Sequence, residues 1–268
     1  MKKSRFNKIT IILALLLLVI GSTFSGCASD KEPAPEAKAP VEVYVSAAAS
    51  LTEALTEIQT EYAKDCKDTL VFNFGGSGAL VKQIQEGAPC DLFLSASKSN
   101  MDDLETAGLI DKATRKDLLG NTLTLIASAE KKDVIKDETY FTKEDVKSIA
   151  VGTPESVPAG KYAQETFESM GIWADVQGKL VMAKDVKQVL EYVDTGNVDC
   201  GLVYKSDALG MKTGAIVCDM PEDSHSPILY PGAVTTEAAQ PEAAAAFYDF
   251  LSTDYAKSVF EKYGFKVL

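Results

Sequence analysis

The sequence holds a single histidine, His225, and no two of its five cysteines stand within four residues of each other. Zinc-type centres draw on cysteine and histidine ligands, often paired at spacings of about two to four residues, so a metal site of that kind lacks its donors. Cations are also in short supply, with 27 Lys and Arg against 39 Asp and Glu and a formal charge of −12. Four of those cations, Lys2, Lys3, Arg5 and Lys8, fall in the first 26 residues, which contain no acid; the remainder is left with 23 cations against 39 acids, a net charge of −16. That balance opposes nucleic acid as a partner. No apolar run reaches the length of about 20 residues that a membrane-spanning helix wants, and the stretch Ile9–Ile20 is only twelve residues long and contains Thr10. With 46% hydrophobic and 25% charged residues, the composition excludes a disordered chain and a multi-span membrane protein. Its 268 residues suffice for one or two domains with a substantial core.

The N-terminus reads as an export signal: a cationic start, the short apolar run, then the small-residue stretch Ser22–Cys27. Phe24-Ser25-Gly26-Cys27 resembles a lipoprotein cleavage box, with Phe24 where Leu is usual. Residues 1–26 are thus the expected signal peptide and Cys27 the expected lipid-attachment residue. Residues 27–40, rich in Ala, Pro, Lys and Glu without apolar period, form the expected tether. Cys66, Cys90, Cys200 and Cys218 would then lie outside the cell, where disulfides form; four cysteines allow three pairings, and the sequence does not choose among them.

From Val41 onward β-prone runs alternate with segments of helical period, the pattern of a parallel α/β architecture. The runs are Val41–Ser46, Thr69–Phe74, Asp91–Ser95, Leu123–Ala127, Ile149–Val151 and Val198–Tyr204. Between them lie apolar residues three and four apart, such as Leu51, Leu55, Ile58 and Tyr62, or Val186, Val189, Leu190 and Val193, each set one face of a crossover helix. The stretch from Gln240 to Phe265 reads as helical, with Ala246, Phe247, Phe250, Leu251 and Tyr255 as its apolar face.

The informative places are where strands hand over to helices. Ala47-Ala48-Ala49 precedes Ser50, and Glu53 three residues on completes a capping-box pattern. Gly75-Gly76-Ser77-Gly78 precedes a second helix, Pro158-Ala159-Gly160 opens a third with Pro at its first turn, and Asp185-Val186 opens a fourth. Helix N-termini carry unpaired N–H groups and about half a positive charge, so several that converge form an anion site without a cation. Each motif also has a plain structural reading: Ser50 as an N-cap, the glycines as a tight turn, Pro158 as a helix start, Tyr204 as a core residue.

The chain from Val41 to Leu268 resembles the molybdate-binding proteins that serve ABC importers. The likeness rests on seven segments in order: Ala47–Thr52; Gly87-Ala88-Pro89 with Asp91-Leu92-Phe93 and Ser95-Ala96; Leu118–Asn121; Val151-Gly152 with Pro154-Glu155 and Val157–Gly160; Gly201–Tyr204 with Ser206-Asp207-Ala208; Pro221–His225; and Lys262–Phe265. It implies an α/β, two-lobed periplasmic-binding-protein fold of type II whose cleft closes on a tetrahedral oxyanion, molybdate or tungstate, without catalysis and without a cofactor. It carries over Ser50 and Ser77 as hydroxyl and backbone donors, Ala159 and Val186 as backbone donors, and Tyr204 as a phenol donor. Lobe 1 is expected at 41–122 plus 229–268 and lobe 2 at 123–228. The implied partners are an ABC permease and its ATPase, the implied state a monomer lipid-anchored to the outer face of the cell membrane. The segment Gly75–Gly78 is richer in glycine than the serine-rich version of that family.

Two rival readings follow from the same residues. Gly75-Gly76-Ser77-Gly78-Ala79 with His225 downstream suggests the nucleophile elbow of a serine hydrolase, although Ala79 stands where that pattern wants Gly. The other rival keeps the fold and changes the ligand to sulfate or phosphate. A phosphate loop at Gly160-Lys161 fails, because Tyr162 follows and Glu155 occupies the place of the first glycine.

Overall fold

The computed structural model describes residues 39–268; the expected signal peptide, Cys27 and the tether up to residue 38 lie outside them. Pro40–Leu268 forms one compact unit. Its strands are β1 (Glu42–Ala48), β2 (Thr69–Gly75), β3 (Leu92–Leu94), β4 (Lys116–Gly120), β5 (Leu123–Ala127), β6 (Ile149–Gly152), β7 (Leu180–Ala183), β8 (Cys200–Tyr204), β9 (Ala215–Asp219), β10 (Leu229–Val234) and β11 (Lys266–Val267). Its helices are α1 (Thr52–Asp65), α2 (Ser77–Gln85), α3 (Lys98–Thr106), α4 (Pro158–Ser169), α5 (Trp173–Val176), α6 (Val186–Asp194), α7 (Lys205–Ala208), α8 (Pro241–Phe250) and α9 (Asp254–Lys262).

Two sheets result. One runs β11-β4-β10-β3-β1-β2 and the other β7-β6-β8-β5-β9. Pairing is parallel where α-helices cross over, at β1 with β2 and β3 and at β6 with β7 and β8. Beyond the parallel reading of the sequence, each sheet also has an antiparallel part: β10 runs against β3 and β4, and β5 against β8 and β9. The chain passes from the first sheet to the second between Gly120 and Leu123 and returns between Asp219 and Leu229. The two sheets are therefore joined by two crossings of the chain.

The crossover helices pack as their periodicity dictates. In α1 and the turn before it, Leu51, Leu55, Ile58 and Tyr62 are all buried, and truncating Leu55 to Ala would cost about 2–5 kcal/mol. In α6, Val186, Val189 and Val193 are buried, whereas Leu190 is half-buried. The C-terminal stretch departs from the expected single helix. Thr253 stops the run and its hydroxyl caps α9 by accepting from Ala256 N–H at 3.3 Å. The buried face of α8 is Ala244, Phe247 and Tyr248, which leaves Ala246 of the same helix exposed, and Tyr255 is exposed because the break between α8 and α9 resets the helical phase. The Tyr62 ring seats against both Phe247 and Phe250 at 5.1 Å, locking α8 onto α1.

All four described cysteines are free thiols. Cys200 lies opposite Ala127 and Cys218 opposite Leu125, on the two flanks of β5, so a strand separates the two sulfurs. Burial pushes the Cys200 thiol up to about 12 and the Cys218 thiol, with Glu138 beside it, up to about 11, leaving both as unreactive thiols at neutral pH.

Candidate ligand-binding cleft

Four strand-to-helix turns converge where the two sheets face each other: the turn after β1, the starts of α2 and α4, and the start of α6. They line a tight pocket, about 10 Å³ as measured by the centres of water-sized spheres, partly open to solvent. Ser50, Ser77, Ala159, Val186 and Tyr204 all line it, together with Ala96 and Asp185. The lining contains no Lys or Arg, so the available positive potential is that of helix starts and hydroxyl dipoles.

Three of the four starts are left open. The residues that precede them, Ala48, Gly76 and Val157, provide no side-chain cap; Gly78 N–H donates to Ser156 O at 3.0 Å, and the leading N–H groups at Ser77 and Ala159 keep their capacity for a ligand. The fourth, at α6, is capped by Asp185, whose carboxylate accepts from Gln188 N–H at 2.9 Å. The capping box expected at Ser50 and Glu53 does not form. Ser50 sits inside a 3₁₀ turn, Ala49–Leu51, with no side-chain bond to the helix, because its hydroxyl is engaged 2.9 Å from the Tyr230 hydroxyl.

Either hydroxyl can donate in that contact. The Asn121 amide is oriented by Thr122 N–H, which donates to its Oδ1 at 2.8 Å, and its Nδ2 donates to the Tyr230 hydroxyl at 3.2 Å and to Ser206 Oγ at 2.9 Å. With Asn121 donating to its oxygen, Tyr230 can give its own proton to Ser50 Oγ, the arrangement that leaves the Ser50 proton for the cleft. Ser77 is arranged alike: its oxygen accepts from Ala96 N–H at 3.0 Å, which leaves its proton free. Tyr204 completes the set, since its fully buried hydroxyl has no hydrogen-bond partner among the described residues. Burial raises the Tyr204 and Tyr230 phenols well above their ordinary value of 10, so both remain proton donors. A buried hydroxyl without a partner costs about 1–3 kcal/mol, and an anion in the cleft would supply the missing acceptor.

Tyr230 and Asn121 belong to the hydrogen-bond network behind the cleft, a place the motif reading did not assign to them. Tyr230 lies in Leu229-Tyr230-Pro231-Gly232, where Pro and Gly hide a strand; Asn121 closes a segment whose order in the sequence was visible but whose role was not.

The hydrolase arrangement is absent. The Ser77 oxygen is bound by Ala96 N–H, while His225 places Nδ1 2.8 Å from Ser226 O and its ring against Tyr162, outside the cleft lining. Lys161, from the rejected phosphate-loop pattern, reaches Ser99 Oγ at 3.4 Å. Lys187, near the start of α6, likewise turns away from the cleft: its Nζ lies 2.8 Å from the fully buried Asp207 and 2.5 Å from Glu53 of α1.

With this geometry in hand, comparison with known proteins is direct. The chain is 41% identical over 261 residues to a Bacillus subtilis protein named as an ABC transporter substrate-binding lipoprotein, YvgL, covering 97% of this chain and 98% of that one. It is 39% identical over 258 residues to the molybdate-binding protein ModA of Escherichia coli, covering 94% and 98%. The periplasmic molybdate-binding protein of Azotobacter vinelandii shares the fold, with a TM-score of 0.77 at 22% identity over 84% of this chain and 99% of that one. The profile of bacterial extracellular solute-binding proteins matches residues 43–266, and this chain belongs to that family.

Proposed function

We propose that this protein captures molybdate, and tungstate with it, and delivers the dianion to an ABC importer through the importer's permease and ATPase. The observation that carries the reading is the donor set: three hydroxyls that can each turn a proton to the cleft, Ser50, Ser77 and Tyr204, with the uncapped start of α4 at Ala159 and the Val186 N–H, which the Asp185 cap of α6 does not engage. All are neutral donors, suited to an oxyanion without protons. The name of the Escherichia coli relative supports the choice of anion. Fixed donors spaced for the longer metal–oxygen bonds would sit too far from the oxygens of sulfate to bond them well. In this reading the residues do no chemistry on the ligand, and the work is capture and release.

In this reading the protein acts as a monomer of two lobes, residues 41–122 plus 229–268 and residues 123–228. Ser50 and Ser77 belong to the first, Ala159, Val186 and Tyr204 to the second. An anion bonded from both sides stabilises the closed form relative to the open one. Export by the segment 1–26 and lipid attachment at Cys27 would hold it at the outer face of the membrane; the YvgL name supports that anchor.

Calorimetric titration of a soluble chain starting at Ser29 with molybdate, tungstate, sulfate and phosphate tests the reading. One-to-one binding of the first two with no heat from sulfate is expected. Binding of sulfate or phosphate in preference would replace the ligand, and no heat and no thermal shift with any of the four would remove the oxyanion reading.

A further inference from the structure

Gly76 and Gly78 have no conformational need to be glycine. Gly76 has φ −62° and ψ 129°, values open to any residue, and Gly78 lies in the first turn of α2, where Ala would be about 1 kcal/mol better. Neither is at a positive φ. What surrounds them belongs to the other sheet's layer. A Cβ on Gly78 would lie 2.9 Å from both the α-carbon and the carbonyl oxygen of Ser156, and one on Gly76 would lie 3.0 Å from the carbonyl oxygens of Ser156 and Lys184 and 3.2 Å from a Val157 methyl. Carbon atoms pack at about 3.5–4.0 Å, and these neighbours are mostly backbone that cannot swing aside. Gly78 N–H also donates to Ser156 O at 3.0 Å. The start of α2 thus meets the loop before α4 backbone to backbone, beside the cleft.

We propose that Gly76 and Gly78 are the closure-determining residues of this protein: their missing side chains let the β2–α2 turn seat on Ser156, and a methyl group at either place would hold the two layers apart and leave the cleft open. The inference rests on the closure reading given above. It also accounts for the glycine-rich form of this segment. A turn that needed glycine for its own conformation would be damaged by alanine; here alanine leaves the open protein intact, and at position 78 improves its helix.

The test compares wild type, Gly78→Ala, Gly76→Ala and Gly178→Ala, the last a control whose Cβ would meet nothing within 4 Å. Each soluble chain is titrated with molybdate by calorimetry, its radius of gyration is measured by small-angle scattering with and without molybdate, and its ligand-free unfolding temperature is recorded. The expected result is contraction in wild type and Gly178→Ala, and no contraction with affinity lower by about tenfold or more in the other two, whose ligand-free unfolding temperatures stay at or above wild type. Contraction and affinity equal to wild type in both Gly76→Ala and Gly78→Ala would overturn the inference while leaving the functional reading in place. Loss of the circular-dichroism signature of the fold in both would also overturn it, since the glycines would then serve folding. A wild type that neither binds nor contracts would remove the functional reading, and this inference with it.

Discussion

Tyr230 sets its hydroxyl 2.9 Å from Ser50 Oγ across 180 residues of sequence, and with Asn121 donating to it from behind it is placed to turn the serine proton toward the cleft. Replacing Tyr230 with Phe frees Ser50 to rotate and removes one polarising bond. Molybdate affinity should fall by about 0.5–1.5 kcal/mol, roughly two- to twelvefold, without a direct contact having been lost. Titration of Tyr230→Phe against wild type checks this; equal affinity would dismiss the relay.

Ser77→Ala should have a larger effect. It removes a direct bond to a charged ligand, about 1.5–3 kcal/mol or ten- to a hundredfold in affinity. Ala159→Gly should leave affinity nearly unchanged, because the proposed contact there is the backbone N–H. An Ala159→Gly variant as weak as Ser77→Ala would show that the α4 start is held by its side chain.

For Tyr204→Phe the two readouts should move in opposite directions. In the ligand-free protein the buried hydroxyl has no partner among the described residues, so its removal should raise the unfolding temperature by a few degrees, about 1 kcal/mol for a chain of this size. With molybdate present the same variant should bind more weakly. A fall in both would mean that the hydroxyl has a structural partner.

The fold was written in the sequence wherever both faces of a strand are buried. Val43, Val45, Leu125, Ile149 and Leu202 are fully or almost fully buried, and their runs stand out as apolar against polar surroundings. Strands β4 and β10 escaped because Lys116 and Asp117 make one look like a loop, and Pro231 and Gly232 break the other; they are strands because their neighbours in the sheet, not their own propensities, hold them. The five expected cleft residues could be named from family segments and helix-start chemistry. The relay from Asn121 through Tyr230 could not, since its members are 109 residues apart and nothing local to either marks the contact.

Asp207 gives the protein a pH signature. Burial raises its carboxyl to about 6, against the opposing effect of Lys187, so the folded state holds a proton there that the unfolded chain, titrating near 3.8, has already released. Its contribution to stability is full below the unfolded value and is lost as pH rises from about 4 to 6. Relative to Asp207→Asn, wild type should therefore lose on the order of 2 kcal/mol across that window, with Lys187, Glu53 and Asp185 as the charged neighbours that set the size. Chemical denaturation of both proteins at pH 4, 5, 6 and 7 reads the difference; parallel curves would show that Lys187 keeps Asp207 ionised throughout.

The position of β10 between β3 and β4 also bears on how the chain is made. The central ladder of the six-stranded sheet waits for residues 229–234, so a chain emerging from the N-terminus can assemble β1, β2 and β3 but cannot join β4 to them until all but the last few dozen residues have appeared. Such late, long-range closure slows folding. The five-stranded sheet, whose strands all lie between residues 123 and 219, does not wait in this way, so the half of the molecule that begins first in the chain is the half completed last.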